Sequence, residues 1–219
     1  MKNILVTHFH PMTEIFKRYA DLAMAHNEKS AKEQGFEVQF STARNNPENT
    51  IYRERAWWLC HVMDGCADGD RILWMDADAV IVGKNLATVF DHVKDGEVGL
   101  TKFKSDKWNC GVMAFIVGPV TRKLFAEILN HVHGYGDHDK VEEWSAHECA
   151  NCALPTNERG PLCGSSKHGL IDLPDKWNDA KLNPDSEIVG FHLMDGYSKY
   201  RRIRQTIDAL KGPLNGNAS

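Results

Sequence analysis

Ile72-Leu73-Trp74-Met75-Asp76-Ala77-Asp78-Ala79-Val80-Ile81 is the stretch from which the rest of the chain is best read. An apolar run of strand length delivers two carboxylates, one residue apart, at its C-terminal end. In open α/β sheets that end is where ligands bind. Side chains at i and i+2 of an extended segment share a face, so Asp76 and Asp78 can converge on one hard cation. Such an ion would bridge the phosphates of a bound nucleotide and neutralise the charge on a leaving diphosphate. A solvated turn capping the next element could carry the same pair, but the apolar approach and the small Ala77 and Ala79 favour a site.

Upstream, strand and helix signals alternate. Asn3 to Val6 reads as a short buried strand, and Thr13 to Gln34 carries Ile15, Phe16, Tyr19, Leu22 and Ala23 at helical spacing, with Thr13 as its cap. Gly35 ends that helix and Phe36 to Phe40 alternates as a second strand. Arg53 to Cys66 reads as a helix, and Gly69 closes the turn into the strand Arg71 to Met75. This βαβαβ start predicts an α/β fold with a mostly parallel central sheet covered by helices.

Downstream the alternation loosens. Leu86 to Val93 reads as a short helix, Val98 to Phe103 and Gly111 to Val117 as strands, and Pro119 to Val132 as a helix. Residues 134–168 are rich in Gly, His, Asp and Cys and read as an irregular insertion. Ile171 to Leu173 and Ile188 to Phe191 are short late strands, Tyr200 to Leu210 a basic helix, and 212–219 a flexible tail. Residues 1–211 are thus expected to form a single domain.

Composition agrees with an ordinary globular chain. With 219 residues, roughly 70% of the unfolded surface can be buried, so neither disulfides nor a metal is needed merely to fold. Hydrophobic residues make up 42% and charged residues 26%, which excludes disorder and collagen-like repeats. A formal net charge of −4 excludes a globally basic nucleic-acid coat. Apolar stretches are strand-sized, too short for a membrane span, and the N-terminus turns polar too soon for a signal peptide. Six cysteines are too few for a secreted disulfide scaffold, so a reduced, cytoplasmic protein is expected.

Asp76-x-Asp78-x-Val80 resembles the nucleophile motif of haloacid-dehalogenase-like phosphatases, in which the first Asp is phosphorylated and the second is the acid/base. That family carries its motif on the first strand and adds a later acidic pair, which this chain lacks. Three further segments point elsewhere. Trp108-Asn109-Cys110-Gly111-Val112-Met113-Ala114-Phe115, Pro174-Asp175-Lys176-Trp177-Asn178 and Phe191-His192-Leu193-Met194-Asp195-Gly196-Tyr197-Ser198-Lys199 follow the acidic pair in order. Together they resemble the motifs of retaining GT-A glycosyltransferases, specifically glycosyltransferase families 8 and 34 (galactosyl and mannosyl transferases). The resemblance covers most of 53–204. The closing motif has three residues between His192 and Gly196, one more than the family pattern.

The resemblance implies a Rossmann-like GT-A domain that transfers sugar from a nucleotide-sugar, such as a UDP- or GDP-sugar, with Mn²⁺ or Mg²⁺. It implies Asp76, Asp78 and His192 as metal ligands, a residue set suited to a borderline-hard divalent ion. Lys199 would meet the diphosphate. Val6, Thr7 and His8 would hold the nucleoside, and Arg53 or Arg55 would supply a cation. Ala77, Asn109, Cys110, Gly111 and Gly196 would line the donor, Gly111 permitting close backbone approach. Family members retain anomeric configuration and lack a well-placed nucleophile, so the diphosphate oxygen itself would draw the acceptor proton. Glu148 or Asp106 could instead steady an oxocarbenium-like centre.

Cys149, Cys152, Cys163 and His168 form C-x2-C-x10-C-x4-H, which could close a structural Zn²⁺ site. Buried free thiols would explain the same residues, and a zinc-stabilised binding module would leave the acidic pair unexplained. The acceptor is open: a glycan, a protein or a modified base of phage DNA. Lys199, Arg201, Arg202 and Arg204 could contact a polyanion or form a solvated helix face.

Overall fold

The structure, a computed structural model, describes residues 1–42, 51–102, 108–134, 170–192 and 194–211. β1 (Asn3–Phe9), α1 (Glu14–Glu33), β2 (Glu37–Thr42), α2 (Ile51–Asp64) and β3 (Arg71–Met75) give the expected βαβαβ start. After β3 come β4 (Ala79–Ile81), a 3-10 segment over Leu86–His92, β5 (Val98–Lys102), β6 (Trp108–Ile116) and α3 (Pro119–Gly134). β7 (Leu170–Asp172), a 3-10 turn at Asp175–Trp177, β8 (Ile188–Gly190) and α4 (Gly196–Leu210) complete the described elements.

Six strands form one sheet in the order β2-β1-β3-β6-β5-β7. All pairings are parallel except those that β6 makes with β3 and β5, so β6 alone runs against the others. Strand alternation sorts the core into two faces. Ile4, Val6, Ile72, Trp74, Met113 and Phe115 face Ala56, Leu59, Val62 and Met63 of α2 and Leu124 and Phe125 of α3. Leu5, Leu73, Met75, Val112 and Ala114 face the opposite way, onto Leu86, Val89, Phe90 and Trp177. A third cluster packs Tyr19, Ala20 and Ala23 of α1 against Ile203 and Ile207 of α4.

The apolar run that opened the sequence does not stay in one sheet. The Asp76 N–H donates to the Gly111 carbonyl (2.8 Å), and the Ala79 N–H then closes a turn on the Asp76 carbonyl (3.0 Å). β4 leaves the main sheet there and pairs antiparallel with β8, in register Ala79↔Gly190, Val80↔Val189 and Ile81↔Ile188. Two other expectations shift. The short helix expected at Leu86 to Val93 is a 3-10 helix over Leu86–His92, and α4 begins at Gly196 instead of Tyr200 because Asp195 caps it, accepting from the Tyr197 and Ser198 amides. Among the described residues no helix is long and apolar enough to cross a membrane. The insertion, the tail and the proposed zinc ligands Cys149, Cys152, Cys163 and His168, with Glu148, lie outside the described residues.

Candidate functional site

Asp76 and Asp78 sit in the turn between β3 and β4, at the C-terminal edge of the main sheet. The β4–β8 ladder extends by one bond, from the Phe191 N–H to the Asp78 carbonyl (3.1 Å). That bond sets His192 beside a pair of aspartates far away in sequence. His192 Nδ1 lies 3.0 Å from Asp78 Oδ1 and 3.9 Å from Asp76 Oδ2. One ligand atom from each of the three residues falls within 4.8 Å of the others.

The imidazole is held from behind. His192 Nε2 is 3.0 Å from Asn178 Oδ1, which can only accept, so Nε2 carries a proton and Nδ1 is the ring atom turned toward the carboxylates. Two glycines make room for it. A Cβ at Gly111 or Gly190 would overlap the His192 ring, and at Gly190 it would also overlap Asn178 Oδ1. Gly111 belongs to a bulge in β6, where pairing with β5 jumps from Leu100↔Met113 to Thr101↔Asn109. The Asn109 side-chain carbonyl accepts from the Gly111 N–H (2.8 Å) and stiffens that bulge.

Two cations complete the site. Arg55 donates from Nη2 to Asp76 Oδ1 (2.5 Å), with its guanidinium 5.1 Å from the Trp74 ring centre. Trp74 Nε1 donates to the same oxygen (3.3 Å). Lys199, buried on the first turns of α4, donates from Nζ to Asp78 Oδ2 (2.6 Å) and stands 5.2 Å over the Tyr19 ring. Asp78 Oδ1 is shut off from water and takes no hydrogen bond among the described residues. Burial opposes its ionisation, but His192 and Lys199 outweigh that and hold the carboxyl below its ordinary range. Burial likewise opposes charge on His192, and the Asp78 and Asp76 carboxylates reverse it, raising its pKa.

At the β1 edge the residues do different jobs. Val6 is wholly buried in the core, and the Thr7 hydroxyl donates to the Met75 carbonyl (2.9 Å), tying β1 to the end of β3. His8 is buried with Nε2 3.5 Å from Glu54 Oε2, and burial, then the Arg55 and His10 charges, push it down to about 4. Of the two arginines singled out in the sequence, Arg55 reaches Asp76; the Arg53 side chain lies outside what is described. Gly196 opens α4 against Ile15. Ala77 and Cys110 are buried, as is Trp177, whereas Tyr197 is exposed.

Several contributors carried no assigned role in the sequence. Asn178 stood inside a quoted motif, and its hydrogen bond to His192 gives it one. Gly190, Trp74 as a donor to Asp76, and Tyr19 under Lys199 had no local signal, because each is defined by a partner remote in the chain. Lys199 was expected at a diphosphate; here its ammonium sits on Asp78.

The donor set, two carboxylate oxygens and one imidazole nitrogen with an orphaned buried oxygen among them, fits a divalent cation.

No protein-family model and no curated protein matches the chain. Solved structures do. The chain is similar to a glycosyltransferase involved in glycosylation of the major capsid of PBCV-1, with 13% identity, 92% of this chain and 98% of that one covered, and a TM-score of 0.62. It is similar to the bifunctional glycosyltransferase WbbM at 9% identity, over 94% of this chain and 49% of that one, with a TM-score of 0.53. It is also similar to the glycosyltransferase GlyE of Streptococcus pneumoniae TIGR4 at 12% identity, over 99% and 66% of the two chains, with a TM-score of 0.50. At such identities the likeness speaks for architecture, and the architecture of this chain is that of the GT-A glycosyltransferases.

Proposed function

We propose that the chain is a metal-dependent, retaining glycosyltransferase that moves a sugar from a nucleoside-diphosphate sugar to a hydroxyl acceptor. The observation that carries this reading is the convergence of Asp76 Oδ2, Asp78 Oδ1 and His192 Nδ1 on one point at the C-terminal edge of the sheet. When bound there, Mn²⁺ or Mg²⁺ would supply charge neutralisation for a departing diphosphate.

The chain's own residues supply positioning. Asn178 keeps the Nε2 proton on His192 and leaves Nδ1 free to ligate. The Asn109–Gly111 bulge, bonded to the Asp76 amide, presents close backbone where a donor sugar would lie. Arg55 and Lys199 add fixed positive charge to a site that excludes most water, where such charge acts most strongly. Catalysis would therefore rest on orientation and electrostatics, with Lys199 as the chain's cation at the diphosphate and Glu148 as the candidate carboxylate near the reacting carbon. The retaining outcome rests on the motif resemblance of 108–115, 174–178 and 191–199.

The acceptor is a hydroxyl of a glycan, a protein or a modified DNA base. A reducing compartment such as the cytoplasm agrees with the free thiols of Cys60 and Cys66. A structural Zn²⁺ on Cys149, Cys152, Cys163 and His168 is part of the same proposal, checked by metal analysis of Cys149→Ser against the parent.

The decisive experiment incubates the protein with UDP- and GDP-sugars and Mn²⁺, following nucleotide release and, by NMR, the anomer formed. Turnover is expected to vanish in EDTA and to fall by about 10²–10³-fold in Asp78→Asn, with the anomeric configuration kept. Undiminished turnover in EDTA would overturn the metal role, and an inverted product would overturn retention. Phosphate release from simple esters, with a trapped phosphate on Asp76, would establish the phosphatase reading instead.

A further inference from the structure

The two aspartates together present four oxygens, and the structure divides them. Asp76 Oδ1 is taken by Arg55 and Trp74, and Asp78 Oδ2 by Lys199. The other two, Asp76 Oδ2 and Asp78 Oδ1, are the ones turned toward His192 Nδ1. Each carboxylate is thereby limited to one free oxygen. Single-oxygen ligation suits the small octahedral ions Mg²⁺ and Mn²⁺, whereas Ca²⁺ readily takes both oxygens of a carboxylate.

The same two contacts cancel charge. Two carboxylates are matched by one guanidinium and one ammonium, each in direct contact. Both cations are well buried, so solvent does not screen them away. A divalent cation approaching this group therefore meets two positive neighbours already paired with its carboxylate ligands. A diphosphate changes that balance, because its oxygens carry negative charge and give Lys199 a second anion to pair with.

Resting on the metal reading above, we propose that Arg55 and Lys199 are counter-cations built into the ligand set, which fix the ligating oxygens and make divalent-ion binding depend on a bound nucleoside diphosphate. Lys199 is the exchanging partner: paired with Asp78 as the structure shows it, it shifts its pairing toward the diphosphate when nucleotide and ion arrive together. Arg55, braced by Trp74, stays on Asp76. Lys199 is thus a positioning residue for the ion as well as a cation for the donor.

Thermodynamic reciprocity makes this measurable without any turnover. If nucleotide raises the affinity for Mn²⁺ by some factor, Mn²⁺ must raise the affinity for nucleotide by the same factor. Free Mn²⁺ is followed by EPR with and without UDP or GDP, correcting for the Mn²⁺–nucleotide complex in solution, and nucleotide binding is followed by calorimetry with and without Mn²⁺. The parent protein should bind Mn²⁺ about 5–150-fold more tightly with nucleotide present, the span usual for coupled sites. Lys199→Met keeps the length and the apolar stem over Tyr19 but removes the charge. Its nucleotide-free Mn²⁺ affinity should rise about tenfold or more, with the coupling shrinking by the same factor, while Lys199→Arg keeps the parent behaviour. Ca²⁺ should compete poorly in the parent.

Unchanged or weaker nucleotide-free Mn²⁺ binding in Lys199→Met would overturn the proposal. So would a parent protein whose Mn²⁺ affinity is indifferent to nucleotide, a result that needs no variant to fold. If Asp78→Asn abolishes Mn²⁺ binding while Lys199→Met leaves it as in the parent, the metal site stands and only the counter-cation role falls. If no form binds Mn²⁺ under any condition, the metal reading falls with it.

Discussion

A histidine ring occupies space that two other residues give up. Gly111 and Gly190 flank His192 from β6 and β8, and a methyl group at either would overlap the imidazole. The ring cannot simply swing aside, because Asn178 holds its far nitrogen and Asp78 faces the near one. Gly111→Ala should therefore cost about 1–3 kcal/mol of overpacking and reduce Mn²⁺ affinity by roughly 10–100-fold, the range for disturbed support of a metal ligand. Gly65→Ala, whose added carbon would meet only the Val62 carbonyl at 3.5 Å, should leave Mn²⁺ binding untouched. Paired EPR titrations of the two variants decide the matter; equal behaviour would mean that His192 is not a ligand.

Helix α4 brings Lys199 to Asp78, and its first turn decides where that lysine stands. Asp195 accepts from the Tyr197 and Ser198 amides at 3.1 Å each and fixes where the helix begins. The acidic side chain also opposes the positive end of the helix dipole. Farther along, Ile203 and Ile207 lock the helix onto α1. Loss of the cap should fray the first turn without detaching the rest. Asp195→Ala is expected to lower stability by about 1 kcal/mol, seen as a reduced urea midpoint. Hydrogen exchange should rise at the amides of 197–199 and stay unchanged at 203–207. Protection unchanged at both ends would show that tertiary contacts alone hold the first turn.

Across the whole molecule, acid stability is tied to a histidine buried at the edge of the sheet. The His8 ring is nearly free of solvent and titrates near 4, well below its ordinary value near 6.5. The unfolded chain therefore takes up a proton at His8 in the range between those values, and the folded chain does not. The resulting contribution is fully present above pH 6.5 and is lost as pH falls toward 4. Its size is about 3 kcal/mol, at ~1.4 kcal/mol per pH unit. Urea unfolding from pH 4 to pH 7 should show stability rising with pH, with a shallower slope in His8→Leu. The same slope in both proteins would place the acid sensitivity at another group.

Sequence alone settled the order of the early elements and their class. Ile4, Leu5 and Val6, like Ile72, Leu73 and Trp74, are apolar without a break because both faces of these strands are covered, and that pattern is local. The acidic pair was equally legible, since an apolar strand ending in Asp76-x-Asp78 is written in consecutive residues. Other features depended on remote contacts. The break between β3 and β4 is invisible in an apolar run, because it depends on a ladder with β8. The 3-10 form of 86–92 and the early start of α4 came from turn and cap bonds that periodicity does not report. Above all, the use of each oxygen of Asp76 and Asp78 was decided only when α2, β8 and α4 met at the sheet edge. Arg55, His192 and Lys199 are separated from those aspartates by whole elements of the chain. Their pairing is a product of packing, which no local reading of residue types can supply.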